Sequence, residues 1–283
     1  MNNFVIFILS HGRPNNVITL KTLQRQGYTG EYYIIIDNED KTADQYYKNF
    51  GEDRVIMFDK KDVASRVDSA DNFNDRRVVM YARNACFEIA EKLGKEYFLE
   101  LDDDYCAVGY RWEEQGRLKQ KNFKNLDKLF SLLLDYYRKN ENITCLALSQ
   151  GGDFIGGAKG GMYKARIKRK AMNALLLSTK RKINFLGRIN EDVNTYTTLG
   201  SRGHIFLTIA DAMVVQQETQ TNPGGMTDIY LAFGTYLKSF YSVMHMPSAV
   251  KLKMMGDKHY RIHHEINWEV CVPKIISGVY KKV

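Results

Sequence analysis

The sequence predicts an α/β protein: one mixed sheet flanked by helices in a single domain. Three observations predict it. Short apolar runs rich in β-branched and aromatic residues recur at 4–9, 32–36, 97–101 and 143–148. Segments of helical periodicity lie between them. The first strand, helix and second strand fit within 37 residues, a βαβ unit that implies parallel pairing.

Taken in order, Phe4 to Leu9 reads as a fully buried strand ended by Ser10-His11-Gly12. Pro14 suits the first turn of a helix, Val17, Leu20 and Leu23 recur at helical spacing, and Gly27 stops it. The second strand ends at Asp37, and a short strand is expected at 55–57. A helix carrying Val79, Met80, Cys86, Ile89 and Leu93, closed by Gly94, leads into the strand 97–101. An amphipathic helix over 123–137 and the strand 143–148 follow. A Gly-rich loop spans 151–161, then come a basic segment, a helix at 191–200, a strand at 205–209, a helix from about 226 to 240 and a strand-like stretch at 260–268.

Composition excludes several classes. Hydrophobic residues at 44% and charged residues at 26% are ordinary for a folded domain. The four cysteines show no CxxC and no zinc spacing, as expected of thiols in a reducing compartment. The N-terminal apolar run is too short and wrongly flanked for a signal peptide, and no run approaches a membrane span. A soluble, cytoplasmic protein is the expectation. The net charge of +8 is local: residues 154–190 contain ten Lys and Arg and no acid, so the remainder is slightly acidic. Lys164, Arg166, Lys168, Arg169, Lys170, Lys180, Arg181 and Lys182 form the centre of this segment, which suits a polyanion such as DNA or else a solvated face.

The acidic cluster Asp102-Asp103-Asp104 closes an apolar strand. Strand alternation sets Asp102 and Asp104 on one side and Asp103 on the other. Two such carboxylates can hold one divalent cation, and oxygen ligands suit Mg²⁺ or Mn²⁺; a solvated turn is the plainer alternative. Ser10, His11, Arg13 and Asp37 reach the same carboxyl edge of the sheet, where α/β proteins bind ligands, although neither GxGxxG nor GxxxxGK[ST] is present. Arg83 precedes the acidic strand on its helix and suits a phosphate, a base or a surface ion pair. Glu191-Asp192 opens a helix, where acids favour the dipole and where one could serve as a general base. His263 or His264, with His259 as a further candidate, could complete a metal site.

Taken together, these parts resemble a GT-A glycosyltransferase, over residues 4 to about 268. The resemblance implies a GT-A-type, Rossmann-like mixed sheet, with residues 1–105 binding the nucleotide sugar and 106–283 the acceptor. It implies Mn²⁺ or Mg²⁺ on Asp102 and Asp104 with a late His, His263 or His264. Ser10, His11, Arg13, Asp37, Arg83, Asp102 and Asp103 would line the donor, and Asp192, with Glu191 second, would be the base of an inverting member. The motifs Ser-His-Gly-Arg-Pro, Leu-Asp-Asp-Asp-Tyr and Arg-Ile-His-His are similar to the TET-associated glycosyltransferases of bacteriophages. That likeness implies a hexosyl- or pentosyltransferase using a UDP-linked sugar, a hydroxymethylated pyrimidine such as 5-hydroxymethylcytosine in DNA as acceptor, and the cytoplasm of an infected host. The rival readings are a glycan, lipid or protein acceptor on the same fold, and a nucleic-acid-binding module without catalysis.

Overall fold

The computed structural model describes residues 2–160, 163, 167–168, 170–217, 234, 236–256, 260–275 and 277–280. Along the chain run β1 (Phe4–Leu9), α1 (Ile18–Arg25), β2 (Tyr32–Asp37), α2 (Ala43–Phe50), β3 (Val55–Phe58), α3 (Lys60–Ala64), α4 (Met80–Lys92) and β4 (Tyr97–Asp102). Then come β5 (Tyr105–Glu114), β6 (Arg117–Asn122), α5 (Leu126–Lys139), β7 (Ile143–Ser149), β8 (Ile167–Lys168), β9 (Leu175–Ser178) and α6 (Glu191–Ser201). The last are β10 (Ile205–Gln216), α7 (Leu237–His245), β11 (Val250–Met255), β12 (Arg261–Ile266) and α8 (Trp268–Cys271).

Ten strands form one mixed sheet in the order β3-β2-β1-β4-β9-β7-β10-β5-β6, with β8 beside β10. The strands β3, β2, β1 and β4 are parallel, as the βαβ start requires, and β9 is inserted antiparallel between β4 and β7. Both faces of β1 are covered, which is why its sequence is continuously apolar rather than alternating. Phe4, Ile6 and Ile8 pack with Leu20 and Leu23 of α1 and Phe130 of α5. Val5, Phe7 and Leu9 pack on the other face with Cys86 and Ile89 of α4 and Val193 and Tyr196 of α6.

The differences from the sequence expectation have local causes. Helix α1 begins at Ile18 rather than at Pro14, because the backbone of the preceding loop is already engaged. Gly12 (φ +71°) donates its N–H to Asp40, Arg13 N–H goes to the Tyr46 hydroxyl, and Asn16 N–H to the Arg13 carbonyl. After the acidic cluster the chain turns back at once into the hairpin β5–β6, which the apolar pattern does not announce. Strand β6 is an exposed edge of Arg, Lys and Gln, and such an edge is protected by charge rather than marked by hydrophobicity. The four buried residues of β9 hide within the basic segment. Strand β10 runs to Gln216, well past the expected end, pairing first with β7 and then with β5 through a register shift. Of the helix expected over 226–240, residues 226–233 lie outside the described residues, and α7 covers 237–245. The late strand is Arg261–Ile266, paired with an unanticipated β11 in a separate two-stranded sheet.

Candidate active site

Parallel register brings the first part of the site together. Leu9 lies beside both Ile35 and Asp102, so β1, β2 and β4 end at one edge and deliver Ser10–Arg13, Asp37 and the acidic cluster to the same place. Strand geometry ceases at Asp102, and the next two residues form a turn that spreads the three carboxylates. Asp103 is buried and accepts hydrogen bonds from Ser10 Oγ (2.6 Å) and Arg13 Nη1 (2.8 Å). Since the Ser10 proton goes to Asp103, it is Tyr46 that donates to Ser10 Oγ (2.7 Å). Asp103 therefore fixes the loop after β1, with Arg13 as its counterion.

Asp37 is likewise committed. Its Oδ2 meets His11 Nδ1 at 2.7 Å and the buried Lys60 ammonium at 3.1 Å, while Oδ1 accepts the Glu39 N–H. Burial would raise its pKa, but His11 and Lys60 outweigh burial and hold the carboxyl below its usual range. A carboxylate only accepts, so His11 carries its proton on Nδ1 and turns its other nitrogen outward. The half-exposed member of this group is His11, whose side chain is 37% accessible against 5% for Asp37.

Arg83 sits at the centre. Its side chain is 2% accessible, and its guanidinium reaches Glu191 (3.1 Å), Asp102 (3.2 Å) and Glu100 (3.4 Å). Strand alternation puts Glu100 and Asp102 on the α4 face of β4, below and at the edge. Burial opposes the Arg83 charge, but the three carboxylates outweigh it and drive its pKa well up. Arg83 thus joins the acidic cluster to the start of α6 from beneath, and presents little surface to a ligand. Glu100 is fully buried, Oε1 has no partner among the described residues, and burial lifts its pKa to about 8. A neutral Glu100 at pH 7 leaves Arg83 to Asp102 and Glu191.

Asp104 has one oxygen bound to Gln216 Nε2 (3.1 Å) and the other, Oδ1, buried without a partner among the described residues. Burial, then the charge of Asp102, raises its pKa to about 6. Neighbouring carboxylates that repel each other, one with an orphaned buried oxygen, fit a hard divalent cation. No group of three acidic, His or Cys side chains gathers in metal-binding geometry among the described residues. His264 is pushed down to about 4 by burial, then by His263, Lys238 and Lys170, and no carboxylate of the cluster is among its influences. The late histidines stack on each other, with centroids 4.3 Å apart, and His264 Nδ1 is buried without a partner among the described residues; His259 lies outside the described residues.

That depressed pKa has a definite consequence for stability. The folded state keeps His264 neutral, whereas an unfolded chain takes up the proton below its ordinary value of about 6.5. Stability from this group is complete above that value and is lost as pH falls toward the folded value of about 4. The wild-type Tm is expected to fall more between pH 7 and pH 5 than that of His264→Asn, measured by differential scanning fluorimetry; parallel curves would refute this.

Helix α6 begins at Asn190, in the left-handed region (φ 63°), whose side chain donates to Ser242 Oγ of α7 (2.6 Å). This fixes the direction in which Glu191 and Asp192 leave the first turn. Burial, then repulsion by Asp192, raises Glu191; burial raises Asp192. Glu191 is held by Arg83, while burial raises Asp192 against the opposing pull of the Val193 backbone, Arg83, Lys170 and Lys238.

The described residues of the basic segment do not share one face. Because β9 runs antiparallel to β4, its two ends lie on opposite edges of the sheet. Lys170, at the site edge, pairs with buried Asp153. Lys180 pairs with Glu96 (3.0 Å) and Lys182 with Glu91 (2.7 Å) at the far edge. Arg181 lies over the Tyr137 ring and donates to the carbonyls of Tyr137, Asn140 and Ile143. Arg188 is buried against Asp71. Lys164, Arg166 and Arg169 lie outside the described residues, as does the side chain of Lys168. Among the described members of the segment, Lys170 therefore lies at the site edge, while Lys180, Arg181 and Lys182 make local contacts at the far edge.

Sequence reasoning passed over Glu100, Lys60, Tyr46, Gln216 and Lys238. Glu100 had a signal, a lone acid inside an otherwise apolar buried strand. The others had none, since each joins the site only through contacts distant in sequence.

Acids, Arg83 and the carboxylate pair of α6 gather at one edge of the mixed sheet, and the family that the chain matches makes it a glycosyltransferase. It belongs to the TET-associated glycosyltransferase family, whose model matches residues 4–225. No curated protein matches the sequence. Solved structures with a similar chain course include glucosyl-3-phosphoglycerate synthase from Mycobacterium tuberculosis with Mg²⁺ and UDP, at 8% identity, TM-score 0.45, covering 93% of this chain and 87% of that one. The same enzyme with Mn²⁺ and UDP-glucose gives 9% identity, TM-score 0.45 and coverage of 93% and 86%. S. aureus TarS 1–349 gives 11% identity, TM-score 0.42 and coverage of 85% and 65%. No helix among the described residues is long and apolar enough to cross a membrane.

Proposed function

We propose that this glycosyltransferase moves a sugar from a nucleotide sugar, UDP-linked, to the hydroxymethyl group of a pyrimidine, 5-hydroxymethylcytosine, in DNA. The observation that carries the reading is Arg83, which binds Asp102 and Glu191 and so sets the donor-side acids and the acid pair of α6 around one point. Membership of the TET-associated family supports the hydroxymethylated acceptor. In this reading β1 to β4 serve the nucleotide sugar, and the elements after Tyr105 serve the acceptor.

Asp102 and Asp104 would hold Mg²⁺ or Mn²⁺, which when bound supplies positive charge against the donor diphosphate. His11 and Arg13, at the end of β1, face the nucleotide; Asp37, Asp103 and Lys60 hold them in place. Asp192 takes the proton from the acceptor hydroxyl as its oxygen bonds to the anomeric carbon. The bond from that carbon to the diphosphate breaks on the opposite side, and the nucleoside diphosphate leaves with the electron pair. Glu191, tied to Arg83, positions Asp192 rather than sharing its proton.

The test is transfer itself. DNA containing 5-hydroxymethylcytosine is incubated with Mn²⁺ and a panel of nucleotide sugars, then digested to nucleosides for mass spectrometry. The expected result is one added sugar residue on the modified base and release of nucleoside diphosphate. No increment with any donor, from a protein with a cooperative melt, would reject the DNA acceptor. Release of pyrophosphate would point to nucleotidyl transfer instead.

A further inference from the structure

The two-stranded sheet β11–β12 stands apart from the main sheet, and isolated hairpins of this size are only marginally stable. This one is anchored at its root. Val250 is fully buried, Asn267 N–H bonds to the Ala249 carbonyl (2.7 Å), and Trp268 stacks on Tyr196 of α6 at 5.8 Å. Helix α7 packs against both strands. The root is also next to the site: Lys238 of α7 acts electrostatically on Asp192, His263 and His264, and is itself acted on by Arg261.

Beyond the root the hairpin carries side chains that the fold does not cover. Register places Leu252 and Met254 on one face and Lys251, Lys253 and Arg261 on the other. Met254 is 56% exposed and Tyr260, at the far end, 70%. The only acid among the described residues of 236–266 is Glu265, which pairs with Lys253.

We propose that this hairpin is the DNA-gripping element of the enzyme, with Tyr260, Met254 and Leu252 against bases and Lys251, Lys253 and Arg261 against phosphates. The inference rests on the DNA-acceptor reading above and adds the surface that implements it. Two physical points select this occupant. A two-stranded ribbon fits a DNA groove, and apolar wedges are what minor-groove binders insert between base steps, while the long Lys and Arg side chains of the opposite face can reach round the ribbon's edges to the phosphates. The exposed ring of Tyr260 also suits an unstacked base, and a base within a duplex must leave the stack before its hydroxymethyl group can reach Asp192.

The test uses the full chain and a duplex carrying one 5-hydroxymethylcytosine, with neither nucleotide sugar nor metal, read by fluorescence anisotropy across a salt series. Met254→Ala/Tyr260→Ala should weaken binding by about tenfold or more, the size expected for lost base stacking. Lys251→Ala/Arg261→Ala should also flatten the salt slope by about two. Both variants should keep the wild-type melt, and Met254→Ala/Tyr260→Ala the wild-type rate of sugar transfer to free 5-hydroxymethylcytidine. Variants that bind DNA as tightly as wild type, while wild type modifies DNA, would overturn the hairpin proposal and leave the acceptor reading standing. A wild-type protein that neither binds nor modifies DNA would overturn both. Concentration-dependent dimers in sedimentation that the apolar variant abolishes would assign the surface to a second copy and overturn the proposal.

Discussion

Replacing Arg83 with methionine is expected to destabilise the protein by roughly 3–5 kcal/mol, because it leaves buried carboxylates without their shared cation. That loss is a large fraction of the ~5–15 kcal/mol that holds an ordinary domain together. The three acids lie at the junction of β4, α4 and α6, where water can replace a guanidinium only by opening the core. Arg83→Lys keeps the charge but offers one ammonium in place of a planar fork, so it should recover only part of the loss. Adding Glu100→Gln to Arg83→Met should relieve little, since Glu100 is raised to about 8 and already neutral at pH 7. Urea unfolding of the three variants checks this. Equal stability of Arg83→Met and wild type would mean that the cation does not hold the site together.

The second large effect concerns α6. Asp192→Asn is expected to lower kcat by about 10²–10⁴, the usual contribution of a positioned general base, without weakening donor binding. Glu191→Gln should cost far less, because the amide oxygen can still accept from Arg83 Nε. Burial raises the Asp192 carboxyl, and a base works only when ionised. Transfer should therefore decline on the acid side at a pH above the ordinary carboxylate range, and no acid limb should be visible in Asp192→Asn. Initial rates against pH, with a thermal shift on nucleotide-sugar addition, separate the two residues. An active Asp192→Asn beside an inactive Glu191→Gln would exchange their roles.

The two predictions differ in how far sequence reasoning reaches their residues. The pair at 191–192 stands out in the sequence as the first acids after a long basic segment, at a helix start. Arg83 is visible as a cation on the helix before the acidic strand, but its burial is not: α4 covers the β4 face carrying Glu100 and Asp102, and only that packing turns a plausible ligand contact into an internal bridge. Asp103 followed the same path. Alternation separates it from its neighbours in the sequence, but its bonds to Ser10 and Arg13 arise from the turn that follows β4.

The basic segment shows the converse failure. Ten cations without an acid read as one surface, because composition carries no direction. Four buried residues in the middle, Leu175–Ser178, become a strand between β4 and β7, and that strand carries the chain from one edge of the sheet to the other. Lys180, Arg181 and Lys182 are thereby delivered to acids and carbonyls that a linear reading cannot pair with them. The hairpin β11–β12 escaped for a related reason: β11 alternates Lys with Leu and Met, and it lacks the covered apolar face by which strands are usually recognised.

By itself the sequence determined the parallel start of the sheet, the strand bearing the acidic cluster, the edge where ligands gather and the helix that begins at Glu191. All of these follow from local periodicity and from strand ends, which neighbouring residues encode. The tertiary structure alone decided which charges face solvent and which neutralise one another. Asp102 is joined to Glu191 through a buried guanidinium and Asp104 retains an orphaned oxygen, whereas Asp37 and Asp103 are satisfied by the protein. Burial and pairing set the strength of a charge, and both depend on residues far away in the chain.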